Sequence, residues 1–432
     1  MSQVLKPKKG YKSVPWLFGK EIEIPEEWEV KKLNEITNKI GDGIHSTPEY
    51  VEHSEYYFIN GNNLINGKIT YFENTKNVSK EEFLKYELKL NENTILLSIN
   101  GTIGNVAFYN KEKIILGKSA SYIICNDKLN TLFLFYQLQS NLTKKYFSTQ
   151  LTGTTISNLS LSSIRNMIFH LPLFPEQQKI ASILSNINNL IESTRQVIKN
   201  SKSLKTGLMQ KLLTRGISHT KFKKVPWLFG KEIEIPEDWE IKMLDDVGNL
   251  SAGGTPSRFN LEYWNNGTIP WLSSGEIRNN IITESDEKIT SLGLKESASR
   301  LFPKGTVLIA ITGQGLTRGR TALLSIDASS NQSVIGIICK KDVIYNLFLW
   351  YYLQNEYWKL RSISQGSNQA GLNLNLLKTY QIILPSIHEQ QKIATILSNI
   401  DAQINSQTQY KDKLERLKKS LMQKLLTGEV RV

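Results

Sequence analysis

The chain has 432 residues, 40% hydrophobic and 22% charged, a composition typical of a globular protein with about two to four domains. No apolar run approaches the roughly 18 residues of a membrane helix, and the first residues lack a signal-peptide pattern, so we expect a cytoplasmic protein with no membrane partner. The net charge of +13 favours a polyanionic partner, although most of the excess lies in residues 175–224 and 388–432.

The first element along the chain, Val14-Pro-Trp-Leu-Phe-Gly-Lys-Glu-Ile-Glu-Ile-Pro-Glu26, occurs twice. It recurs unchanged at 225–237, and two later blocks recur in the same order. The later pairs are 176–187 with 389–400 and 208–214 with 421–427. The chain is therefore a duplicated unit of roughly 210 residues, whose intervening stretches, about 30–165 and 240–380, hardly match. We expect one framework that carries two divergent inserts.

Each insert has the pattern of a mixed α/β domain with short strands. Residues 94–99 and 306–311 are equivalent apolar strands, each followed by a Gly-rich turn, and the runs ending at Cys125 and Cys339 are the next pair. Two aromatic segments, starting at Leu132 and Leu347, have helical spacing. That spacing predicts buried helices rather than base-stacking surfaces.

Each repeat ends in a long predicted helix. Pro175 and the Pro385-Ser386 pair mark the starts, and Gly216 and Gly428 mark the ends. Apolar residues at alternating steps of three and four predict a coiled-coil seam with polar interruptions. The predicted seam contains Ile180, Ile183, Ile187, Leu190, Thr194, Val197, Ser201, Leu204 and Leu208 in the first helix, and Ile393, Ile396, Ile400, Gln403, Gln407, Tyr410, Leu414, Leu417 and Leu421 in the second.

A helix of this length with an apolar stripe needs a partner, and the other copy can supply it. A pseudo-twofold relation between the repeats predicts antiparallel packing; two separate helical hairpins are the alternative. We therefore predict an α+β fold in which two mixed α/β domains are separated by two long antiparallel coiled-coil helices. The expected boundaries are 1–174, 175–216, 217–387 and 388–432.

Signatures of catalysis are absent from the sequence. Gly117-Lys118-Ser119 lacks the upstream glycine of a phosphate loop, and the glycines from Gly313 to Gly319 lie outside any dinucleotide-binding pattern. The five histidines show no metal-ligand spacing, and the catalytic tetrapeptide of adenine methyltransferases is missing. We expect a non-catalytic protein that binds no metal.

The doubled motifs resemble those of one family. The segments Ile-Pro-Glu-x-Trp (24–28 and 235–239), Glu-Gln-Gln-Lys-Ile-Ala-x-Ile-Leu and Leu-Met-Gln-Lys-Leu-Leu-Thr are similar to those of specificity subunits of type I restriction–modification systems. The resemblance covers essentially the whole chain. It implies two target-recognition domains, each recognising one half of a split double-stranded DNA sequence, with the helix pair as the spacer.

The resemblance also implies the partners. Two methylation subunits would dock on the helices and methylate adenine N6, and restriction (motor-nuclease) subunits would complete the complex. S-adenosylmethionine, ATP and Mg would be held by those partner subunits, with no cofactor on this chain. The alternatives are a coiled-coil assembly protein with inert inserts and a single-chain modifying enzyme.

Candidate DNA contacts are polar residues in Gly-containing turns, because amide, guanidinium, ammonium and hydroxyl groups can bond base edges and phosphates. Ordinary turn chemistry is the alternative at each of them. In the first insert they are Asn60, Asn62, Asn63, Asn100, Thr102, Asn105, Lys118, Thr154, Thr155 and Ser157. In the second they are Arg278, Asn279, Asn280, Gln314, Arg318, Arg320, Ser367, Asn368 and Gln369. Substitution of Arg318 and Arg320 should weaken one half-site only.

Four lysines on the first long helix, Lys199, Lys202, Lys205 and Lys211, suit contact with DNA between the half-sites or with an acidic partner. A solvated helix face is the alternative. For docking of partner subunits, the expected residues are the apolar ones of the seam.

Overall fold

The computed structural model describes residues 8–16, 21–152, 157–313, 315–363 and 371–432. The chain divides into two compact units, Met1–Arg195 with Gln409–Val432, and Gln196–Thr408. Each unit therefore contains one insert and parts of both long helices.

The first unit contains the elements up to the first half of the long helix α5. Its strands are β1 (Tyr11–Pro15), β2 (Glu21–Pro25), β3 (Glu29–Lys32), β4 (Thr37–Asp42), β5 (Tyr50–Val51), β6 (Tyr56–Ile59), β7 (Leu64–Ile65), β8 (Lys68–Ile69), β9 (Lys76–Val78), β10 (Thr94–Ser98), β11 (Val106–Phe108), β12 (Ile114–Leu116), β13 (Ala120–Cys125), β14 (Leu151–Thr152), β15 (Asn158–Leu159) and β16 (Ile168–Leu171). Its helices are α1 (Lys80–Tyr86), α2 (Thr131–Gln139), α3 (Asn141–Gln150), α4 (Leu161–Arg165) and α5 (Phe174–Arg215), which continues into the second unit.

The second unit follows the same order. Its strands are β17 (Phe222–Pro226), β18 (Glu232–Pro236), β19 (Glu240–Met243), β20 (Gly248–Ala252), β21 (Ile269–Leu272), β22 (Asn280–Ile282), β23 (Glu287–Ile289), β24 (Val307–Ala310), β25 (Thr321–Leu324), β26 (Ser329–Ser330), β27 (Val334–Cys339) and β28 (Gln381–Leu384). Its helices are α6 (Leu244–Val247), α7 (Ser291–Lys295), α8 (Asn346–Asn355), α9 (Tyr357–Ile363), α10 (Leu374–Lys378) and α11 (Ile387–Leu425), whose last residues belong to the first unit.

The sheets of the two units correspond strand by strand. The antiparallel order β11-β10-β13-β4 in the first unit matches β25-β24-β27-β20 in the second. A smaller sheet, in which β12 lies parallel to β6, matches the parallel pair β26 and β21. The predicted α+β class, the internal repeat and the equivalent strands β10 and β24 are confirmed.

One place differs between the inserts. In the first unit β7 and β8 form a two-residue hairpin, whereas in the second β22 joins the large sheet as a parallel neighbour of β25. The turn before each of these elements carries predicted DNA-contact residues. The divergence therefore lies where the candidate site lies.

The aromatic helices are core elements, as predicted. In α2 Phe133, Tyr136 and their neighbours are buried, and α8 buries Phe348, Trp350 and Tyr351 in the same way. Because the rings are enclosed by the sheet and the long helices, they are unavailable for stacking on bases.

The repeated motifs join the start of each long helix to its insert. Trp28 is fully buried, and its indole N–H donates to Glu176 Oε2 at 3.0 Å. Trp239 donates to Glu389 Oε2 at 3.0 Å in the second unit. A buried carboxylate and indole need each other as hydrogen-bond partners, which explains why the Ile-Pro-Glu-x-Trp and Glu-Gln-Gln blocks occur together.

The long helices begin and end where the sequence predicts. Helix α5 starts next to Pro175, and Ser386 Oγ accepts from Glu389 N at the start of α11. Both helices end at a glycine in the left-handed region, Gly216 with φ +66° and Gly428 with φ +76°. Within each unit the two helices run antiparallel. The contacts Asn188–Lys418 and Arg195–Glu415 show this in the first unit, and Lys205–Asp401 and Ile217–Glu389 show it in the second.

The predicted seam occupies two positions of each heptad, and the prediction that both are buried is wrong for one of them. Leu190, Val197 and Leu204 in α5 are exposed, and so are Ile396 and Leu417 in α11. The buried positions of the seam are Ile180, Ile187, Thr194, Ile393 and Leu414, while Ile183 and Ile400 are half-buried. Four residues outside the predicted seam, Leu184, Ile191, Leu397 and Ile404, are buried beside them. The buried face is rotated because each helix packs against its insert as well as against the other helix.

Candidate nucleic-acid interface

Three predicted turns of the first unit meet around Ser119. Its hydroxyl donates to Asn60 Oδ1 at 2.8 Å, and its carbonyl accepts from the N–H of Ile99 at 2.9 Å, directly before Asn100. Lys118, the preceding residue, is exposed. Residues that are about 20 to 60 positions apart in the sequence therefore form one polar surface.

Within the turn Asn60–Asn63, the amides have different roles. Asn63 is 4% exposed, accepts from Asn60 N at 3.0 Å and donates to Thr70 O at 2.9 Å. Asn62 is exposed and Asn60 is half-buried. Asn63 is therefore corrected from a DNA-contact residue to one that shapes the turn, because its buried amide is satisfied inside the protein.

The loop after β10 is fixed by its backbone. Gly104 and Asn105 donate their N–H groups to the carbonyl and hydroxyl of Ser98, at 3.0 and 2.8 Å. Thr102 is exposed at the tip, while Asn100 and Asn105 are half-buried. Gly101 and Gly104 have φ of +70° and +89°, a conformation that favours glycine.

Ser157 belongs to the same surface. Its carbonyl accepts from Gly101 N at 3.3 Å, which brings the segment after α3 beside the loop from Asn100 to Asn105. Thr154 and Thr155 lie outside the described residues.

The predicted turns of the second unit also meet. Asn279 Oδ1 accepts from the N–H of Thr321 at 3.0 Å, the residue after Arg320, and Asn279 has φ +60°. Arg278 is exposed, and its Nε–H donates to Gly275 O at 2.7 Å, which orients the guanidinium. Asn280 is half-buried, and its Oδ1 accepts from Arg278 N at 2.8 Å.

Helix α9 holds the Gly-rich loop, which the sequence did not indicate. Arg361 donates from Nη1 to Arg318 O at 2.8 Å and from Nη2 to Gly315 O at 2.9 Å. Tyr357 donates its hydroxyl to Leu316 O at 2.7 Å. Side chains from one turn of α9 thus bind the carbonyls of Gly315, Leu316 and Arg318, and these hydrogen bonds position this part of the loop.

The loop presents its arginines at the surface. Arg318 and Arg320 are half-buried, and Arg318 Nε is a buried donor with no hydrogen-bond partner among the described residues. The guanidinium of Arg318 therefore keeps one donor that the described residues do not satisfy. Gln314, Ser367, Asn368 and Gln369 lie outside the described part of the chain.

The structure identifies a turn that sequence comparison missed. In the second unit Ser273 N donates to Glu276 Oε2 at 2.7 Å, the same geometry that links Asn60 to Asn63. The turn Ser273–Glu276 is therefore the counterpart of Asn60–Asn63, and Arg278 follows it. The sequence signal was weak because a carboxylate replaces an amide at the closing position.

A second missed feature is an exposed aromatic residue in the loop after β20. Phe259 is 99% exposed, while the preceding Arg258 stacks on Trp264 at 3.6 Å and bonds Glu287 Oε2 at 2.8 Å. Thr255 in this loop donates to Gln332 Oε1 at 2.6 Å. A single phenylalanine among polar residues has no periodicity, so pattern analysis could not identify it.

One cluster combines a histidine with two acids. His219 faces Glu389 at 2.9 Å from Nε2 and Asp238 at 3.3 Å from Nδ1, and the ligand atoms of these three residues all lie within 4.8 Å of one another. At the same place in the first unit, Arg431 pairs with Glu176 at 2.6 Å. Because the Arg431 guanidinium takes this position in the other repeat, we interpret His219 as a hydrogen-bond partner that joins two carboxylates and not as a metal ligand. Sequence spacing could not reveal it, since its members are about 20 to 170 residues apart.

The helix lysines divide into two groups. Lys199, Lys202 and Lys211 are exposed, as predicted for a contact surface or a solvated face. Lys205 differs, because its ammonium lies 2.7 and 2.8 Å from the two carboxylate oxygens of Asp401. The prediction that Lys205 faces DNA or an acidic partner is wrong, since its charge is already paired.

The sequence comparisons concern the whole chain. Among the described residues, no helix combines the length and the hydropathy needed to cross a membrane.

The profile of the type I restriction modification DNA specificity domain matches residues 25–201 and 236–416. The MjaVIII type I restriction enzyme specificity subunit of Methanocaldococcus jannaschii is 29% identical over 421 residues, covering 95% of both chains. The putative MjaX specificity subunit of that organism is 28% identical over 428 residues, again covering 95% of both.

A solved structure has the same fold. The type I restriction–modification S subunit from M. genitalium superposes with a TM-score of 0.57 at 16% identity, over 92% of this chain and 96% of that one. Its fold and the two matches of the specificity-domain profile agree with the duplicated architecture described above. This chain belongs to the family of specificity subunits of type I restriction–modification systems.

Proposed function

We propose that this chain gives a restriction–modification complex its DNA sequence specificity, and that each unit recognises one half of a bipartite, asymmetric duplex target. The observation that carries the proposal is the placement of different polar turns on equivalent frameworks. Around Ser119 the first unit presents amides, a hydroxyl and Lys118, whereas beside Thr321 the second presents arginines.

The two surfaces suit different base patterns. Arginine can donate two parallel hydrogen bonds to guanine O6 and N7, and the second unit offers Arg278, Arg318 and Arg320 for this role. The first unit offers Asn60, Asn62, Asn100, Asn105 and Thr102 instead. Asparagine pairs well with adenine, and shape can contribute where guanidinium groups are few. We therefore expect guanine-containing and adenine-containing halves, respectively.

The framework suits docking of catalytic partners. Leu190, Val197 and Leu204 repeat every seven residues along α5 and are 41–57% exposed, and Ile396 and Leu417 occupy the same heptad position in α11. A repeated apolar stripe on a protein that has a packed core indicates a protein interface. We propose that two methylation subunits bind these stripes.

The chemistry would then lie on the partners. S-adenosylmethionine would be held by the methylation subunits, which methylate adenine N6, and ATP and Mg by the restriction subunits. In this proposal the chain carries out no catalytic step, and it acts in the cytoplasm, where the host DNA is accessible.

Adenine-methylation sequencing tests the proposal. DNA would be compared from cells that express the cognate methylation subunit with or without this chain. We expect N6-methyladenine in both halves of a split, asymmetric motif, and only when the chain is present. Methylation that is independent of the chain, or its absence although the complex is assembled, would reject the proposal and favour an assembly role with inert inserts.

A further inference from the structure

A groove of about 1300 Å³ lies within the first unit, bordered by α2, α3, the turn between β7 and β8, and the two long helices. Six basic and three acidic side chains line it. The basic residues are Lys68, Lys144, Lys145, Arg195, Lys418 and Lys419. The groove is therefore positively charged at neutral pH.

The acidic residues of the groove form ion pairs with other cations rather than with its lysines. Arg195 lies 2.6 Å from Glu192 and 2.6 Å from Glu415, so it is paired with two of the three acids. The third, Glu429, faces Lys424, which is outside the groove. Among the described residues, no carboxylate oxygen lies within 4.0 Å of the ammonium of any groove lysine.

Lys418 is the most enclosed of these lysines. Its ammonium donates to Asn188 Oδ1 at 2.7 Å and lies 5.8 Å from the ring centre of Tyr136. Burial, and the neighbouring charge of Arg195, lower the pKa of Lys418, although the charges of Glu192 and Glu415 oppose this shift. Among the described residues, the hydrogen-bond acceptor of this ammonium is an uncharged amide, so the approach of an anion would stabilise it.

The second repeat contains the same arrangement with one change. Lys205 and Asp401 are each 213 positions from Lys418 and Asn188, and Lys205 also lies over a tyrosine, Tyr351, at 5.1 Å. There the acceptor is a carboxylate, 2.7 and 2.8 Å from the ammonium. The second unit supplies its own counter-charge, whereas the first has an uncharged amide at that position.

We propose that the groove of the first unit binds backbone phosphates of duplex DNA outside the recognised bases, with the Lys418 ammonium at its centre. The inference rests on the proposed DNA-binding function and adds a contact on one side of the target only. The second unit, whose equivalent lysine is neutralised, makes no such contact through Lys205.

The rest of the lining favours phosphate over an acidic protein segment. Asn141, Ser148, Asn189 and Gln423 accompany the lysines, and amides, hydroxyls and ammonium groups are the side chains that bond phosphate and sugar oxygens. The groove also includes Thr70, whose N–H and carbonyl bond Asn63 in the predicted base-contact turn at 2.7 and 2.9 Å. The groove therefore adjoins the turn that carries Asn60 and Asn62.

The test uses the assembled complex with its methylation subunits and the variant Asn188→Asp, which gives the first unit the acceptor found in the second. Binding of a target duplex and of an unrelated duplex would be measured by fluorescence anisotropy at several salt concentrations. We expect binding of both duplexes to weaken by about 3- to 10-fold, and the slope of log K against log salt to fall by about 1, because one phosphate contact is lost.

Two further variants make the result specific. Asn186→Asp adds the same charge to an exposed position of the same helix outside the groove, and we expect it to leave affinity and slope near wild type. Lys418→Gln should reproduce the effect of Asn188→Asp, and the double variant should add nothing further. Thermal melting of each complex confirms that it is folded.

The outcomes separate the two levels of the proposal. If the wild-type complex does not distinguish the target duplex from the unrelated one, the proposed function fails. If it does, but Asn188→Asp retains the wild-type slope, the groove proposal is overturned. It is also overturned if Asn188→Asp weakens assembly with the methylation subunits without changing the affinity of the saturated complex for DNA, because the anion is then a partner carboxylate.

Discussion

Replacing Arg361 with methionine should weaken recognition of one half-site although Arg361 is not itself a predicted base contact. The guanidinium bonds the carbonyls of Arg318 and Gly315 at 2.8 and 2.9 Å and so holds the loop that carries the arginines. Hydrogen bonds from a charged donor contribute about 1.5–3 kcal/mol each, less when part-exposed as here. Losing both hydrogen bonds should therefore destabilise the ordered loop by about 2 kcal/mol, which corresponds to a loss of binding affinity of about 30-fold.

The assay compares three duplexes bound by the assembled complex: the intact target and versions in which either half is scrambled. In the wild-type complex, scrambling either half of the target lowers the affinity for the duplex. In the Arg361→Met complex, we expect the affinity ratio between the intact duplex and the duplex scrambled in the half contacted by the second unit to fall by about 30-fold. The ratio for the other half should stay unchanged. Arg300→Met, which removes an exposed arginine of the same unit, is the matched control. An equal change for both halves would refute the reasoning.

Four further predictions test separate parts of the structure. Arg318→Gln with Arg320→Gln should lower affinity for one half-site only, by about 1–3 kcal/mol for each lost guanine contact, as measured by binding to half-scrambled duplexes; equal loss for both halves would contradict it. His219→Arg should retain the melting temperature, because Arg431 fills the same place in the first unit, whereas His219→Ala should cost about 1–2 kcal/mol, and the reverse order of stability would disprove the interpretation of the cluster. Burial lowers the pKa of His170 to about 4, so the unfolded chain binds the proton at a higher pH than the folded chain does. The free energy of unfolding should therefore fall by up to about 3 kcal/mol as the pH falls from 6.5 towards 4. In denaturant titrations His170→Phe should flatten this pH dependence, and an unchanged profile would exclude His170 as its cause. Leu204→Ser should change the free energy of unfolding by no more than about 0.5 kcal/mol yet weaken binding of the methylation subunit in calorimetry, and unchanged binding would remove the stripe from the interface.

The regular framework could be predicted from local sequence. Strands β10 and β24, the glycine ends of both long helices and the buried aromatic helices all follow from periodicity and capping chemistry, which depend on neighbours in the chain. The seam could be predicted only in part. Leu190 and Leu184 are equally apolar, and which of them is buried depends on the insert that packs beside the helix.

The candidate site was predictable as a set of turns but not as a surface. Arg361 lies on a helix and acts on a loop about 45 residues earlier, and His219 meets Glu389 from 170 positions away. Such partners are chosen by the fold and leave no local pattern. The sequence shows that Asn188 and Asp401 occupy equivalent positions of the two repeats. It does not show that each of them binds a lysine, which only the structure reveals.

The central claim, that each insert specifies one half of the target, is tested most directly by exchanging one insert. Residues 240–380 would be replaced by the corresponding segment of a relative with a different known target, and the adenine methylome would be sequenced beside that of the wild type. We expect one half of the split motif to change to the relative's half while the other half stays the same. A motif that changes in both halves, or in neither although methylation continues, would contradict the account.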